Sequence, residues 1–509
     1  MRTVSGRSLA VGIALLSLPT LLFILWNRDI PHFGILEDDG IYLIGAKSLA
    51  EGSGYRVLNV PGEPFQTKYS PLYPLVLSGA WRTPRPVTSA VLISWLSLPV
   101  CLWLFHVWLR RRGFTARAAW IVTGLFALNP YVLFFISNLG SEVFFLAFLL
   151  ATILLAERNK AASAGFIAGL GFLARSAGIA MLPAAILYYL WNREPRKALW
   201  FTAGMLPAVA GWTLWSTSHM APGHDLVTLY YTNYLGYQFL NVGFDNIAVV
   251  LWKNLSALME SCGSYVFPQM IAGLPAKLIL QPLALAMILG CIRMGRSLYG
   301  LFAVFSAAML LVWHFPPNQR FVLPLVPLLL AGFYLEATHF AGLVRTAFHH
   351  KDRSQRVVAY GFAGFLLAIL ATGAALQCYM WVSVIPGQAR SDRENRAKYE
   401  SVYRWIGENT PPQAAIVWEN DTALYLAAGR HSVAFLIPPR EGYRAEEDEQ
   451  NLTPYRLIVE YLTDLRLGFW MLPTVGPHRN EAVLKIAAEN PNLERVHEEA
   501  GGVVYRVRK

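Results

Sequence analysis

Apolar runs of near-membrane length recur along the chain, parted by short polar stretches. They lie near 8–26, 87–109, 118–136, 142–156, 164–177, 178–191, 198–216, 274–292, 301–315, 321–339 and 357–381. About 20 apolar residues let a helix cross the hydrocarbon core, so each run is an expected transmembrane helix, eleven in all. Several are short or carry Gly and Pro, and the fifth and sixth can form one broken pair. Basic residues alternate with these runs: Arg110, Arg111, Arg112 and Arg117; Arg158 and Lys160; Arg193, Arg196 and Lys197; Arg293 and Arg296; Arg345, Lys351, Arg353 and Arg356. Cytoplasmic loops hold the Lys/Arg excess, which places the N-terminus inside. An odd number of spans then places the C-terminal segment outside. The first run follows Arg2 and Arg7 and precedes Asn27-Arg28-Asp29 with no small-residue cleavage site, the pattern of a signal anchor.

Three stretches interrupt the apolar pattern. The segment 27–86 is too long for a plain connector. Within it Tyr42, Ala46, Leu49 and Ala50 share one helical face, which predicts a short helix lying along the membrane. The segment 217–273 is a second outer loop, and its Tyr230, Tyr231, Tyr234, Tyr237 and Phe239 read first as an interfacial aromatic belt, second as a sugar-binding surface. The third stretch, 386–509, is charged and free of spans. Arg396 to Asn409 and Asp421 to Ala428 read as helices, Ala414 to Trp418 as a strand and Leu452 to Leu465 as a helix. Val496 to Val507 reads as a hairpin around Gly501-Gly502. The fold class expected is a polytopic α-helical membrane unit over 1–385, followed by a small α/β domain over 386–509.

Composition agrees with the pattern. The chain is 55% hydrophobic and 15% charged, whereas soluble domains carry about 25% charged residues. Its net charge of +11 sits in the loops assigned to the cytoplasm, so it marks topology and contact with lipid headgroups. No nucleic-acid partner is expected. Cys101, Cys262, Cys291 and Cys378 are far apart and form no CxxC, which supports neither a disulfide framework nor a zinc site. His219, His224 and Asp225 match no compact metal-ligand spacing, and His349-His350 falls in a basic loop.

Candidate chemistry gathers at the outer ends of the spans. Glu37-Asp38-Asp39 follows the first span, with Tyr42 beyond it, and Gln66 to Pro74 contains Lys68 and Tyr69. Ser137 to Glu142 ends the third span, Arg175 ends the fifth and Arg320 introduces the tenth. The topology brings these polar clusters to one leaflet. Lys68, Arg175 and Arg320 are suited to neutralise a lipid phosphate, arginine with a bidentate fork. A carboxylate beside them can take the proton from an attacking hydroxyl. A phosphate stabilised by cations leaves without a separate general acid.

This layout resembles the GT-C superfamily of polytopic glycosyltransferases, in particular the branch of protein O-mannosyltransferases and lipid A aminoarabinose transferases. Those enzymes open with one span and then a long outer loop carrying an acidic pair and a tyrosine, as Asp38-Asp39 and Tyr42 do here. The stretch Lys68 to Pro74, the Ser-x-x-x-Ser-Glu turn ending at Glu142, the Leu-x-Arg ending at Arg175 and Arg320 before a Leu/Pro-rich span look like further family elements. The usual family pair is Asp-Glu, whereas this chain has Glu-Asp-Asp, which leaves the register of the base open by one residue.

The resemblance implies a catalytic base at Asp38, with Lys68 and Arg320 on the donor phosphate. The reaction expected is inverting transfer of a sugar from a polyprenyl-phosphate donor to a lipid, glycan or protein hydroxyl. It would run on the periplasmic face of a bacterial inner membrane. Asp39 or Glu37 would support the base, and Tyr42, Tyr69, Glu142 and Arg175 would complete the substrate site. No cofactor beyond the lipid-linked sugar monophosphate donor is expected, and the chain shows no convincing ligand set for the divalent metal used elsewhere in the superfamily. The competing readings are a membrane transporter, a non-catalytic envelope-assembly protein, and an O-antigen-ligase-like transferase with a diphosphate-linked donor.

Overall fold

Backbone polar groups in hydrocarbon must be satisfied within the segment, so apolar runs of this length fold as helices. The computed structural model of the chain describes residues 6–30, 32–36, 38–222, 225–233, 236, 246–269, 274–348, 353–435, 452, 455–476 and 479–508. Each of the eleven apolar runs is helical over most of its length. Gly6–Trp26, Pro86–Arg111, Ala276–Arg293, Gln319–Ala347 and Arg356–Asn409 are long and apolar enough to cross a membrane. Helices Ala116–Ala127 and Pro130–Ser137 pass the same test as a pair, bent by 51°. Pro130 accounts for the bend: it has no N–H to continue the helical ladder, and the Asn129 side chain restarts the helix by accepting from the Tyr131 N–H at 3.1 Å. Shorter apolar helices span Ser141–Ala156, Ala161–Ala174, Ser176–Trp191 and Leu298–Leu311. The fifth and sixth runs thus form two short helical pieces parted at Arg175 alone. Exposed Leu199, Leu214, Leu278 and Phe365 cover the outer surface with apolar side chains, as a lipid-facing wall requires.

Polar residues inside apolar surroundings hid one helix from the sequence pattern. The segment 217–273, expected as an outer loop, contains the helix Ile247–Ser264. Lys253, Asn254 and Glu260 break its apolar run. Asn254 is fully buried, and its amide donates to the Leu311 and Trp313 carbonyls at 3.0 and 2.8 Å, which removes the cost of burying it. Tyr234, Tyr237, Phe239 and His224 lie outside the described residues, as do Glu37, His349 and His350. A second departure concerns the junction at 385. Helix Arg353–Tyr379 passes through one π-turn, Met380–Val384, and continues as Ile385–Asn409. The expected domain boundary therefore falls inside a continuous helix.

The C-terminal segment closes into a five-stranded sheet: β1 (Ala415–Val417), β2 (His431–Val433), β3 (Phe469–Pro473), β4 (Leu493–Glu499) and β5 (Gly502–Val507). Their order is β2-β1-β3-β5-β4, with β1 parallel to β2 and β3, and β5 antiparallel to β3 and β4. Helix Asp421–Ala428 links β1 to β2, and Glu481–Glu489 links β3 to β4. The expected first strand, the helix after it and the terminal hairpin are all present. The three-residue β2 and the five-residue β3 were too short for alternation to reveal.

The short helix expected around Tyr42 is present as Asp38–Ala50. Residues Asp39 to Ala46 are all buried, because this helix is enclosed by protein. Ile41, Val57, Val60, Val227 and Tyr231 share one apolar core with Val417, Val433 and Trp470 of the C-terminal sheet. The first loop is thus packed beneath the C-terminal segment, and that packing sets the position of the acidic cluster at its start.

Helix Leu274–Arg293 crosses Val326–Phe348 at two glycines, Gly290 and Gly332. A Cβ at Gly290 would overlap the Gly332 carbonyl oxygen. Gly290→Ala is expected to destabilise the protein by about 1–3 kcal/mol, the usual cost of overpacking. Thermal unfolding in detergent micelles should show the lower midpoint, and an unchanged midpoint would contradict this packing.

Candidate active site

Glu142 is the centre of the polar cluster. It stands in the first turn of helix Ser141–Ala156, where the positive end of the helix dipole favours a carboxylate, and its side chain is fully buried. Such a charge is stable away from water only when paired. Its Oε1 receives Arg175 Nη1 at 2.6 Å and Arg320 Nε at 2.5 Å. Arg175 caps the C-terminal end of Ala161–Ala174. Arg320 opens the short helix Gln319–Val322, whose start is capped by the Asn318 side chain accepting from the Arg320 N–H at 3.0 Å.

Arg320 extends the network to Asp38. Its Nη2 lies 2.8 Å from Asp38 Oδ2, and its Nη1 donates to the Leu36 carbonyl at 2.8 Å. The other carboxylate oxygen, Asp38 Oδ1, accepts from the Tyr69 hydroxyl at 2.6 Å. The Asp38 side chain keeps 20% of its surface exposed, so a substrate can reach it. Burial pushes its pKa up, but Arg320, Arg175, the Tyr69 hydroxyl and Lys68 together outweigh burial and hold it below the ordinary carboxylate value. Burial pushes the Tyr69 and Tyr42 phenols up, so both stay protonated and can donate. Tyr42 packs edge-on against Tyr69, and its hydroxyl lies 3.0 Å from Ser141 Oγ, which also accepts from Arg175 Nη1 at 2.9 Å.

Asp39, expected as a second acid, has a different task. It is fully buried, and its two oxygens accept the backbone N–H groups of Gly34, Ile35, Leu36 and Gly40 at 3.0, 3.1, 3.0 and 2.7 Å. Burial pushes its pKa up against those four donors. The carboxylate fixes the turn that presents Asp38 and does not face the cluster of cations. Glu37, the other expected supporting acid, lies outside the described residues.

The expected phosphate clamp is divided by these contacts. Arg320 commits Nε, Nη1 and Nη2 to protein acceptors. Arg175 commits only Nη1; its Nε and Nη2 make no hydrogen bond among the described residues. Lys68 is buried, with Nζ 4.0 Å from the Tyr230 ring centroid and 5.2 Å from that of Tyr69. The Gln66 side chain shapes the Lys68 turn by accepting from the backbone N–H of Lys68 and Tyr69 at 2.9 and 3.1 Å.

Sequence reasoning missed the residues that close this site from above. Asp421 of the C-terminal segment accepts from the Asn59 amide at 2.8 Å and from the Tyr231 hydroxyl. Tyr231 in turn accepts from the Ala434 N–H at 2.9 Å, and the Ser432 N–H donates to the Asn59 carbonyl at 2.7 Å. Tyr231 is buried, not turned toward headgroups as an aromatic belt would be. Its neighbour Tyr230 lies over Lys68. His219 stacks on Trp215 at 3.8 Å, and Asp225 caps helix Leu226–Thr232, so neither faces the cluster. Among the described residues no group of three or more His, Cys, Asp or Glu is gathered in a manner that could hold a metal ion.

No family model matches the chain, and no curated protein does. Two solved structures share its fold from end to end. ArnT from Cupriavidus metallidurans in the apo state aligns with a TM-score of 0.54 at 14% identity, covering 97% of this chain and 98% of that one. The same ArnT bound to undecaprenyl phosphate aligns with a TM-score of 0.57 at 15% identity, covering 99% and 98%. The expected architecture, apolar helices followed by a small C-terminal sheet, is therefore a fold that this chain shares with ArnT.

Glu142→Gln would leave two buried guanidinium groups facing a neutral amide. Removing one partner of a buried ion pair costs about 3–5 kcal/mol, so the variant should melt well below the wild type in detergent. Asp421→Ala strips the acceptor from Asn59 and Tyr231 and should cost about 1–3 kcal/mol, the range for leaving a buried polar group unsatisfied. Limited proteolysis should then cut within the C-terminal segment sooner. Equal cleavage rates would show that the Asp421 contacts do not hold this segment down.

Proposed function

We propose that the chain is an inverting glycosyltransferase that takes a sugar from a polyprenyl-phosphate donor and passes it to an acceptor hydroxyl. The single observation that carries this reading is the Asp38 carboxylate. It is held ionised between Arg320 and Tyr69, still partly open, with Lys68 and Arg175 beside it. A carboxylate kept as an anion among cations suits a base acting next to a phosphate. The whole-chain likeness to an ArnT crystallised with undecaprenyl phosphate supports a polyprenyl-linked donor.

In the proposed reaction the acceptor oxygen attacks the anomeric carbon from the face opposite the phosphate. The bond from that carbon to the phosphate oxygen breaks, and its electron pair leaves with the polyprenyl phosphate. Asp38 takes the hydroxyl proton, and attack from the rear inverts the anomeric centre. Lys68 and the uncommitted N–H groups of Arg175 stabilise the leaving phosphate, which removes the need for a general acid. Arg320, Glu142, Tyr42 and Tyr69 hold the base and the cations in register.

The distribution of charge supports one side of the membrane for this reaction. Arg112 bonds the Met294 carbonyl, Arg296 lies over Trp191, and Lys197 bonds Asn159, so the basic loops converge at one end of the bundle. Helix Ser141–Ala156 runs from the site toward that end, and its 16 residues measure about 24 Å. Basic loops stay cytoplasmic as a rule, which supports a periplasmic position for Asp38 and the C-terminal sheet in a bacterial inner membrane. The acceptor is a lipid, glycan or protein hydroxyl.

Asp38→Asn keeps an oxygen for Arg320 but cannot take a proton, and transfer should fall about 10²- to 10⁴-fold, the usual share of a general base. Membranes incubated with a panel of radiolabelled polyprenyl-phosphate sugars measure this directly; undiminished transfer removes Asp38 as the base. The pH profile is a second check. Asp38's folded pKa lies below its ordinary 3.8, so its charge and the stabilisation it gives are complete above that value. Both are lost only as pH falls through the lowered folded pKa. Accordingly kcat/KM should show no acid limb from this group between about pH 5 and 8.

A further inference from the structure

His314 is a buried polar residue that the reaction as described does not use. It lies in the connection between helices Leu298–Leu311 and Gln319–Val322, with 9% of its surface exposed. Its Nδ1 is buried without a hydrogen-bond partner, and no hydrogen bond reaches its other ring nitrogen among the described residues. His32 and His106 are also buried and leave Nε2 unpaired, but each keeps one partner: His32 bonds the Ser137 carbonyl at 2.7 Å, and His106 approaches the Thr123 hydroxyl at 3.4 Å. Neutral imidazole always carries one donor and one acceptor. A histidine that leaves both without a protein partner is arranged to meet something other than protein.

Its neighbours are aromatic. The His314 ring lies 5.2 Å from Trp313 and 4.5 Å from Phe315. Both of those pack on Phe321, at 5.7 and 5.4 Å. Phe315 remains 36% exposed, so the group is not sealed into the core. The cluster also lies close to the two cations assigned to the phosphate. The Phe321 ring is 5.9 Å from the Arg175 guanidinium, and the Lys68 ammonium acts on the His314 imidazole. Whatever is attached to a phosphate held by Lys68 and Arg175 therefore meets these rings.

A pyranose fits such a surface. Its C–H face is apolar and stacks on aromatic rings, while its hydroxyls both donate and accept. Binding sites for small molecules combine aromatic walls with a few placed polar groups in this way. We propose that Trp313, His314, Phe315 and Phe321 form the subsite for the donor's sugar ring, with His314 hydrogen-bonding one of its hydroxyls. The proposal rests on the donor being a sugar phosphate. Burial, with the nearby Lys68 ammonium adding to it, pushes the His314 imidazole down to about 3. The ring is thus neutral at the pH of the cell and keeps its acceptor nitrogen for a hydroxyl.

The test compares lipids with and without a sugar. Full-length protein in detergent is titrated with undecaprenyl phosphate and with undecaprenyl-phosphate glucose, galactose and mannose. Wild type is expected to bind at least one glycosylated lipid about tenfold more tightly than the bare lipid, the worth of one good hydrogen bond. His314→Ala should reduce that preference to near unity while leaving affinity for the bare lipid unchanged. His314→Asn, which keeps an amide in place of the ring, should restore part of it and guards against a misfolded alanine variant. Loss of affinity for both lipids alike would make His314 structural. A preference that survives His314→Ala, or wild type that prefers none of the three sugars, would overturn the subsite. An acceptor sugar on these rings would show instead as a raised acceptor KM with donor affinity intact, which also refutes the proposal. None of these binding outcomes depends on Asp38, so failed transfer chemistry and a failed subsite remain distinguishable.

Discussion

The bridge from Glu142 to Arg175 and Arg320 is the interaction on which the site depends. A carboxylate and two guanidinium groups have been taken out of water, and each would be strongly unfavourable alone. One oxygen of Glu142 serves both arginines, which forces the ends of helices Ala161–Ala174 and Gln319–Val322 together at the start of Ser141–Ala156. One carboxylate leaves two cations incompletely balanced. Asp38 supplies the second negative charge through Arg320. The proposed base is therefore positioned as the counter-charge that the arginine pair requires.

Adjacent carboxylates in the same helical turn have opposite fates. Asp39 folds back on the backbone N–H groups of Gly34, Ile35, Leu36 and Gly40, while Asp38 faces the cations. Turning one residue inward is what aims the other outward. The C-terminal segment completes this restraint from above. Asp421 grips Asn59 and Tyr231, Tyr230 next to it covers Lys68, and Thr67 bonds the Thr232 carbonyl at 2.5 Å. A sheet far along the sequence thus bears on the cation nearest the proposed phosphate, through contacts that run along helix Leu226–Thr232.

Apolar periodicity and turn residues made much of this legible. Long runs of Leu, Ala, Phe and Val have one stable form in lipid, and Gly501-Gly502 between alternating strands has little choice but a hairpin. Basic loops alternating with spans are enough to bring Asp38, Lys68, Glu142, Arg175 and Arg320 to one end. Pairing among them was not legible, because a cation at a span end serves a phosphate, a headgroup or a carboxylate equally well by composition. Arg320 meets Asp38 across 282 residues, and nothing local selects that partner. Helix Ile247–Ser264 escaped for a related reason. Asn254 reads as loop until its two acceptors, Leu311 and Trp313, are known.

The charge network also bears on how the proposed reaction balances itself. Before transfer, Asp38 is an anion on Arg320 and the phosphodiester carries one negative charge. As the acceptor proton moves to Asp38, that carboxylate becomes neutral, and the departing phosphate gains a second negative charge. The negative charge of the site is conserved but displaced from Asp38 to the leaving group. Arg320 loses one of its two ionic partners at the moment a stronger one appears nearby, while Glu142 and the Leu36 carbonyl still hold its Nε and Nη1. In surroundings of low dielectric such an exchange is worth more than the same cation in water, and the guanidinium is already in place. An arginine occupied in the resting enzyme is thus compatible with phosphate stabilisation, because the reaction itself releases it.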